Sequence, residues 1–217
     1  MTIRKKQSNN KPIHCYMSTN KAADIINAAK ELFTVYGFAK TTMTDIAGRL
    51  NMSKASLYYY FKDKETIFHA LRERELEQLT EEITKIRNNS NDASSKLLDY
   101  TKRKLKFLQK SVTVSTPVTN SIVETNTHSG SLLKEFKLTE LNFVKEILQK
   151  GIEVREFNAM NIDEYAGLYL VVHEGLRTLY LSKPGISGNR VIPSITHDQL
   201  TKQSVLFTEM YLHSIST

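Results

Sequence analysis

The chain has one cysteine, Cys15, among 217 residues. An intrachain disulfide is therefore excluded, and so is a cysteine-rich zinc site. A lone free thiol suits a reducing cytoplasm. Long hydrophobic runs are missing as well. The N-terminal stretch has no continuous apolar segment of the signal-peptide kind. The most apolar run, residues 165–181, contains His173, Glu174 and Arg177 and is short for a membrane span. A soluble cytoplasmic protein with no membrane partner is expected. Enzyme signatures are equally scarce: there is no phosphate-cradling glycine loop, no metal-spaced His/Cys cluster and no nucleophile elbow. No catalytic residue, cofactor or metal is expected. Internal repeats, low-complexity tracts and strand pairing are absent too, which leaves an all-α protein.

What is present is unevenly charged. Lys and Arg number 30 against 23 Asp and Glu, a net charge of +7. Through Lys64 there are eleven basic and four acidic residues, and beyond it the two signs balance. The whole excess sits in the first 64 residues, as an electrostatic footprint for phosphate requires. Residues 1–20 are polar, basic and aperiodic, so a disordered arm is expected there. Arg4, Lys5 and Lys6 could serve as a minor-groove arm, or the segment could be a lead-in with no role.

Residues 41–64 read as two short helices around a tight turn. Thr42 is a good N-cap with Asp45 three residues on, as in a capping box. Met43, Ile46, Ala47 and Leu50 recur at helical spacing. Asn51 tolerates the left-handed conformation that ends a helix. Ser53 caps a second helix reaching about Phe61, anchored by Leu57 and Phe61. Three consecutive tyrosines, Tyr58, Tyr59 and Tyr60, cannot all face one core, so some point outward. A preceding helix is marked by Ala22, Ile25, Ile26, Ala29, Leu32, Phe33 and Tyr36 and stopped by Gly37. A longer one begins near Asp63 and carries Ile67, Phe68, Leu71, Leu76, Leu79, Ile83 and Ile86.

Further helices follow: one through Leu97, Leu105 and Val112, a short one over 118–127, a long one from Ser131 to about Ile152, and two over 163–181 and 196–214. Residues 184–193 form a loop, and His128 beside Ser129 and Gly130 reads as a loop residue. At 217 residues the chain can bury one good core and carry a small second module.

Three stretches resemble the TetR family of transcriptional regulators. They are the helix pair itself, the Ala-Lys-Glu-Leu-Phe-x-x-x-Gly pattern from Ala29 to Gly37, and Leu57-Tyr-Tyr-Tyr-Phe-Lys-Asp-Lys-Glu65. The stretch from Gly151 to Phe157 is similar to a Gly-x-x-x-Gly-Glu-Phe corner of that family, with Arg155 in place of the second glycine. The resemblance implies a three-helix helix-turn-helix DNA-binding head over 21–66, joined by a connecting helix to a helical ligand-binding and dimerisation domain over 67–217. It implies a dimer on double-stranded DNA, with recognition helices about one turn (~34–36 Å) or a multiple apart, on an inverted repeat.

Thr42 and Thr44 would then face phosphate at the start of the supporting helix. Lys54, Ala55 and Tyr59 are candidates for base edges. Ser56, Tyr58, Tyr60 and Lys64 are candidates for phosphate. A homodimer face would use Leu168, Val172, Leu176 and Leu179 with Leu206, Phe207, Met210 and Tyr211, unless these only fill the monomer core. An effector pocket would draw on Tyr100, Phe107, Phe136, Phe143, Tyr169 and His173, residues that also suit plain core. The expectation is a ligand-responsive repressor sensing an apolar or aromatic effector. The alternative is a DNA-bound protein of the same fold that recruits a partner without sensing a ligand.

Overall fold

The computed structural model describes residues 13–89, 91–112, 127–181 and 194–217. They form eight helices: α1 (Ile13–Tyr36), α2 (Met43–Arg49), α3 (Lys54–Tyr60), α4 (Lys64–Arg87), α5 (Ala93–Lys110), α6 (Thr127–Glu153), α7 (Ile162–Leu181) and α8 (Ser194–Ile215). No strand occurs among the described residues, only one antiparallel bridge between Phe157 and Ser216. The fold is all-α.

Most boundaries follow from caps. Gly37 (φ 81°) ends α1, its N–H donating to the Phe33 carbonyl at 3.0 Å. Asp63 accepts from the Thr66 N–H to open α4, and Asp92 accepts from the Ser95 N–H to open α5. Two starts lie earlier than expected. α1 begins at Ile13, inside the arm expected to be disordered, because no glycine or proline interrupts the sequence from there to Tyr36. α6 begins at Thr127, which puts His128 in its first turn and not in a loop. The short helix expected over 118–127, the loop over 184–193 and the Arg4-Lys5-Lys6 cluster lie outside the described residues.

Two apolar cores share α4. The first gathers Ile25, Phe33, Ile46, Leu57 and Phe61 with Ile67, Phe68 and Leu71 of α4. The second gathers Leu76, Leu79, Ile83 and Ile86 of α4 with residues of α5, α6, α7 and α8. The cores divide between Leu71 and Leu76, one turn or more beyond the boundary expected at residue 66. Val112, just past the end of α5, belongs to the first core although its helix belongs to the second.

The corner after α6 locks the larger domain. The Gly151 carbonyl accepts from both Glu156 N–H (2.8 Å) and Phe157 N–H (3.1 Å), folding the chain back so that the buried Phe157 ring lies on Gly151. The Glu156 carboxylate then accepts from the Ala93 and Ser94 N–H groups at 2.9 and 2.7 Å, satisfying the free donors at the start of α5. Arg155 sits at φ 60°, the left-handed region that favours glycine.

A β-carbon at Gly151 would lie 2.1 Å from the Phe157 ring. Gly151→Ala should therefore destabilise the protein by about 1–3 kcal/mol. Arg155→Gly should stabilise it by about 1 kcal/mol, the left-handed strain exceeding glycine's entropy cost. Denaturant unfolding checks both, and equal midpoints for all three proteins would contradict the account.

Candidate nucleic-acid interface and effector domain

The head is built around α3. Thr42 accepts from Asp45 N–H at 3.2 Å while Asp45 accepts from Thr42 N–H at 2.8 Å, closing a capping box on α2. These bonds hold the Asp45 carboxyl below its usual range, the Thr42 hydroxyl being the larger cause. Asn51 takes φ 50° in the turn, and Ser53 accepts from Ser56 N–H at 3.0 Å to start α3. Leu57 is fully buried and Phe61 nearly so, pinning one side of α3.

The opposite side is open. Lys54, Ala55 and Ser56 are exposed, as are Tyr58 and, at 79 %, Tyr59. Tyr60, expected among the phosphate contacts, is half-buried and packs against the head core. Its ring meets Tyr59 edge-on at 5.2 Å. Thr44 is exposed at the start of α2, whereas the Thr42 hydroxyl is committed to Asp45 in both directions.

Lys64, expected on phosphate, is turned inward. Its Nζ donates to the Phe38 carbonyl at 2.7 Å and the Thr41 carbonyl at 2.9 Å, and lies 4.4 Å from the centre of the Phe38 ring. Two of its three donors thus tie the turn between α1 and α2 to the start of α4. A helical side chain leans toward its own N-terminus, so the first residue of α4 reaches back into the head. Lys40 and Lys62, which the sequence reading did not single out, are the exposed cations on either side of the helix pair.

Of the residues proposed for an effector pocket, Tyr100 and His173 line one small cavity. Tyr100, Phe136, Phe143 and Tyr169 are buried in the larger core, with Tyr100 and Phe143 rings packed at 5.4 Å, and Phe107 lies half-buried at its edge. Polar groups are buried beside these rings. Tyr100 donates to Glu140, which also pairs with Lys104 at 2.5 Å. Thr101, Tyr169, Thr208 and His173 form a linked hydroxyl and imidazole network, with Thr101 to Thr208 at 3.0 Å and His173 to Thr208 at 3.2 Å. A cavity of about 20 Å³, enough for one water, is lined by Thr101, Lys104, Leu105, His173, Glu174 and Arg177 among others. Along the face of α8 toward α5, His197 Nε2 donates to the Leu105 carbonyl at 2.8 Å, while its Nδ1 and the hydroxyls of Thr201 and Ser204 are buried without a hydrogen-bond partner.

The residues expected on a dimer face divide between core and surface. Tyr211 is buried, its hydroxyl donating to the Tyr165 carbonyl at 3.1 Å, and Phe207 packs among Tyr169, His173 and Tyr211. Val172 and Leu176 are half-buried. Leu168, Leu179, Leu206 and Met210 are exposed, and so is Val171 at 68 %, which the sequence reading passed over. Because α7 is apolar on more than one side, spacing alone did not distinguish core from surface. No helix among the described residues is long and apolar enough to cross a membrane, and no group of His, Cys, Asp or Glu there is arranged to hold a metal.

Burial, with Lys104 nearby as the lesser cause, pushes the His173 imidazole down to about 3. In the unfolded chain it titrates near ~6.5. Between those values only the unfolded state takes up the proton, so stability falls with falling pH by at most about 1.4 kcal/mol per unit. His173→Gln should flatten the stability profile between pH 7 and pH 5, measured by denaturant unfolding. Parallel profiles for the two proteins would contradict a buried neutral His173.

Comparison with known proteins agrees with this geometry. Residues 25–71 match the family model described as bacterial regulatory proteins, tetR family. A transcriptional regulator from Cytophaga hutchinsonii is 32 % identical, with 91 % of this chain and 100 % of that one aligned at a TM-score of 0.76. IcaR, the negative transcriptional regulator of the biofilm operon icaADBC in Staphylococcus aureus, is 48 % identical over 44 residues, 20 % of this chain and only 24 % of IcaR. A regulator from Saccharomonospora viridis solved in complex with choline shares the fold at a TM-score of 0.66 and 19 % identity, over 92 % of this chain and 99 % of that one. The match over the helix-turn-helix and the full-length likeness at 32 % identity lead to one conclusion: the chain belongs to the TetR family of bacterial transcriptional regulators.

Proposed function

We propose that this protein is a cytoplasmic repressor that binds an inverted-repeat operator as a homodimer and leaves it on binding a small molecule. The observation that carries the DNA reading is the open side of α3. Lys54, Ala55, Ser56 and Tyr59 project from a short helix that Leu57 fixes to the core, next to a capped α2. Lys54 is suited to guanine O6 and N7, and Ala55 and the Tyr59 ring to a thymine methyl. Thr44, Ser56, Tyr58, Lys40 and Lys62, all exposed, would meet phosphate. Repression is the mode of action of IcaR, which is similar to this chain over 44 residues.

The dimer reading rests on Leu168, Val171 and Leu179 of α7 beside Leu206 and Met210 of α8, an apolar surface at helical spacing. Gly175 falls in the same row with open space above it, so a second helix could approach closely. The sensing reading rests on the small cavity beside α5 and on His197 Nδ1 and the Thr201 and Ser204 hydroxyls, buried without hydrogen-bond partners, which favour an effector that carries hydrogen-bonding groups. The choline held by the Saccharomonospora viridis regulator is one small polar molecule bound on this fold. The second reading, a recruiter without a ligand, is favoured by how completely the described core is filled.

On an operator selected from bound genomic fragments, Lys54→Ala should change discrimination at one base pair by ~1–3 kcal/mol, while Lys62→Ala should weaken all sequences alike and lower the salt slope by about one. Uniform loss in both would remove Lys54 from base reading. Val171→Glu should convert the dimer to monomer in analytical ultracentrifugation and abolish tight operator binding. A dimer that persists would exclude this face.

A further inference from the structure

Glu75 is fully buried on α4, between the two cores. Its carboxylate holds three partners from two places in the chain, Lys30 and the consecutive Ser111 and Val112. Lys30 of α1 lies 2.9 Å from Oε1. The Val112 N–H donates to the same oxygen at 3.1 Å, and the Ser111 hydroxyl donates to Oε2 at 2.6 Å. Arg72, almost fully buried one turn earlier on α4, adds its charge. Ser111 caps α5, taking bonds to the Phe107 and Leu108 carbonyls, and Val112 is packed in the head core.

We infer that Glu75 is a positioning residue for DNA binding: it fixes the attitude of the head by clamping α1 to the C-terminal end of α5. Two further facts support this. The clamp spans both cores, so it resists rotation of the head about α4 in a way that apolar packing, being non-directional, does not. And α5 is the helix whose Thr101, Lys104, Leu105 and Leu108 line the small cavity. A shift of α5 along its axis would pull Ser111 and Val112 from Glu75 and reach Lys30 without passing through the recognition helix. The inference rests on the dimeric DNA-binding reading but needs no effector.

The test is the spacing preference of the full-length dimer. Operators are made with the two half-sites at the natural separation and with two base pairs inserted, and wild type, Ser111→Ala, Ser111→Thr and Glu75→Gln are titrated on each. A loosened clamp widens the range of head separations, so Ser111→Ala and Glu75→Gln should cut the natural-over-altered affinity ratio by about five- to tenfold. Ser111→Thr, which keeps the hydroxyl, should restore it. A residue that merely stabilises the fold lowers the active fraction on both operators and leaves the ratio unchanged. That outcome for Ser111→Ala overturns the proposal, even if Glu75→Gln fails to fold. Wild type that binds neither operator would instead refute the dimeric reading itself.

Discussion

Helix α4 is buried in two cores at once, and the rest of the structure depends on that sharing. Its first two turns supply Ile67, Phe68 and Leu71 to the head, and its later turns supply Leu76, Leu79, Ile83 and Ile86 to the larger domain. Neither core can be completed without it. Burying such side chains is worth roughly 1.5–3 kcal/mol each, so the helix cannot slip from one core without a large loss. Two charged residues fix its orientation at either end of the head. Lys64 grips the backbone of the turn before α2, and Glu75 holds α1 and the end of α5. The recognition helix is therefore positioned by groups that lie behind it.

That arrangement explains a division of labour among the basic residues. Net charge alone draws the head toward phosphate, and the sequence places the whole excess there. Yet the cations serve different ends. Lys30 and Lys64 are engaged inside the fold, Arg49 pairs with Glu31 at 2.7 Å on the surface, and Lys54 stands over the Tyr58 ring at 5.9 Å. Counting charges would have assigned all of them to DNA. Among the described residues, the geometry leaves Lys40, Lys54 and Lys62 facing outward, Lys62 3.8 Å from its neighbour Asp63.

Local signals in the sequence were strong where the chemistry is local. The Thr42–Asp45 box, the Ser53 cap, Gly37 and the left-handed Asn51 each involve residues within a few positions of one another, and each is found as expected. The same is true of the buried anchors Leu57 and Phe61. What was hidden depends on distant contacts. Lys64 bonds to carbonyls 23 and 26 residues earlier, and Glu75 to donors 36 and 37 residues later. Tyr211 looked like an interface residue because α8 has apolar residues on several sides, and only the packing of Tyr165 and Tyr169 against it shows that it faces inward. The aromatic residues expected around an effector are spaced for a helix face, and that spacing serves a filled core equally well.

The central claim is that two copies of α3 enter major grooves on one face of a duplex. Methylation interference at guanine N7 on a bound genomic fragment tests it most directly, since N7 lies in the major groove. The account predicts two patches of interference related by two-fold symmetry, their centres about one helical turn (~34–36 Å) or a multiple apart. No interference at guanine N7 within the bound site, or a single patch with no symmetric mate, would contradict it.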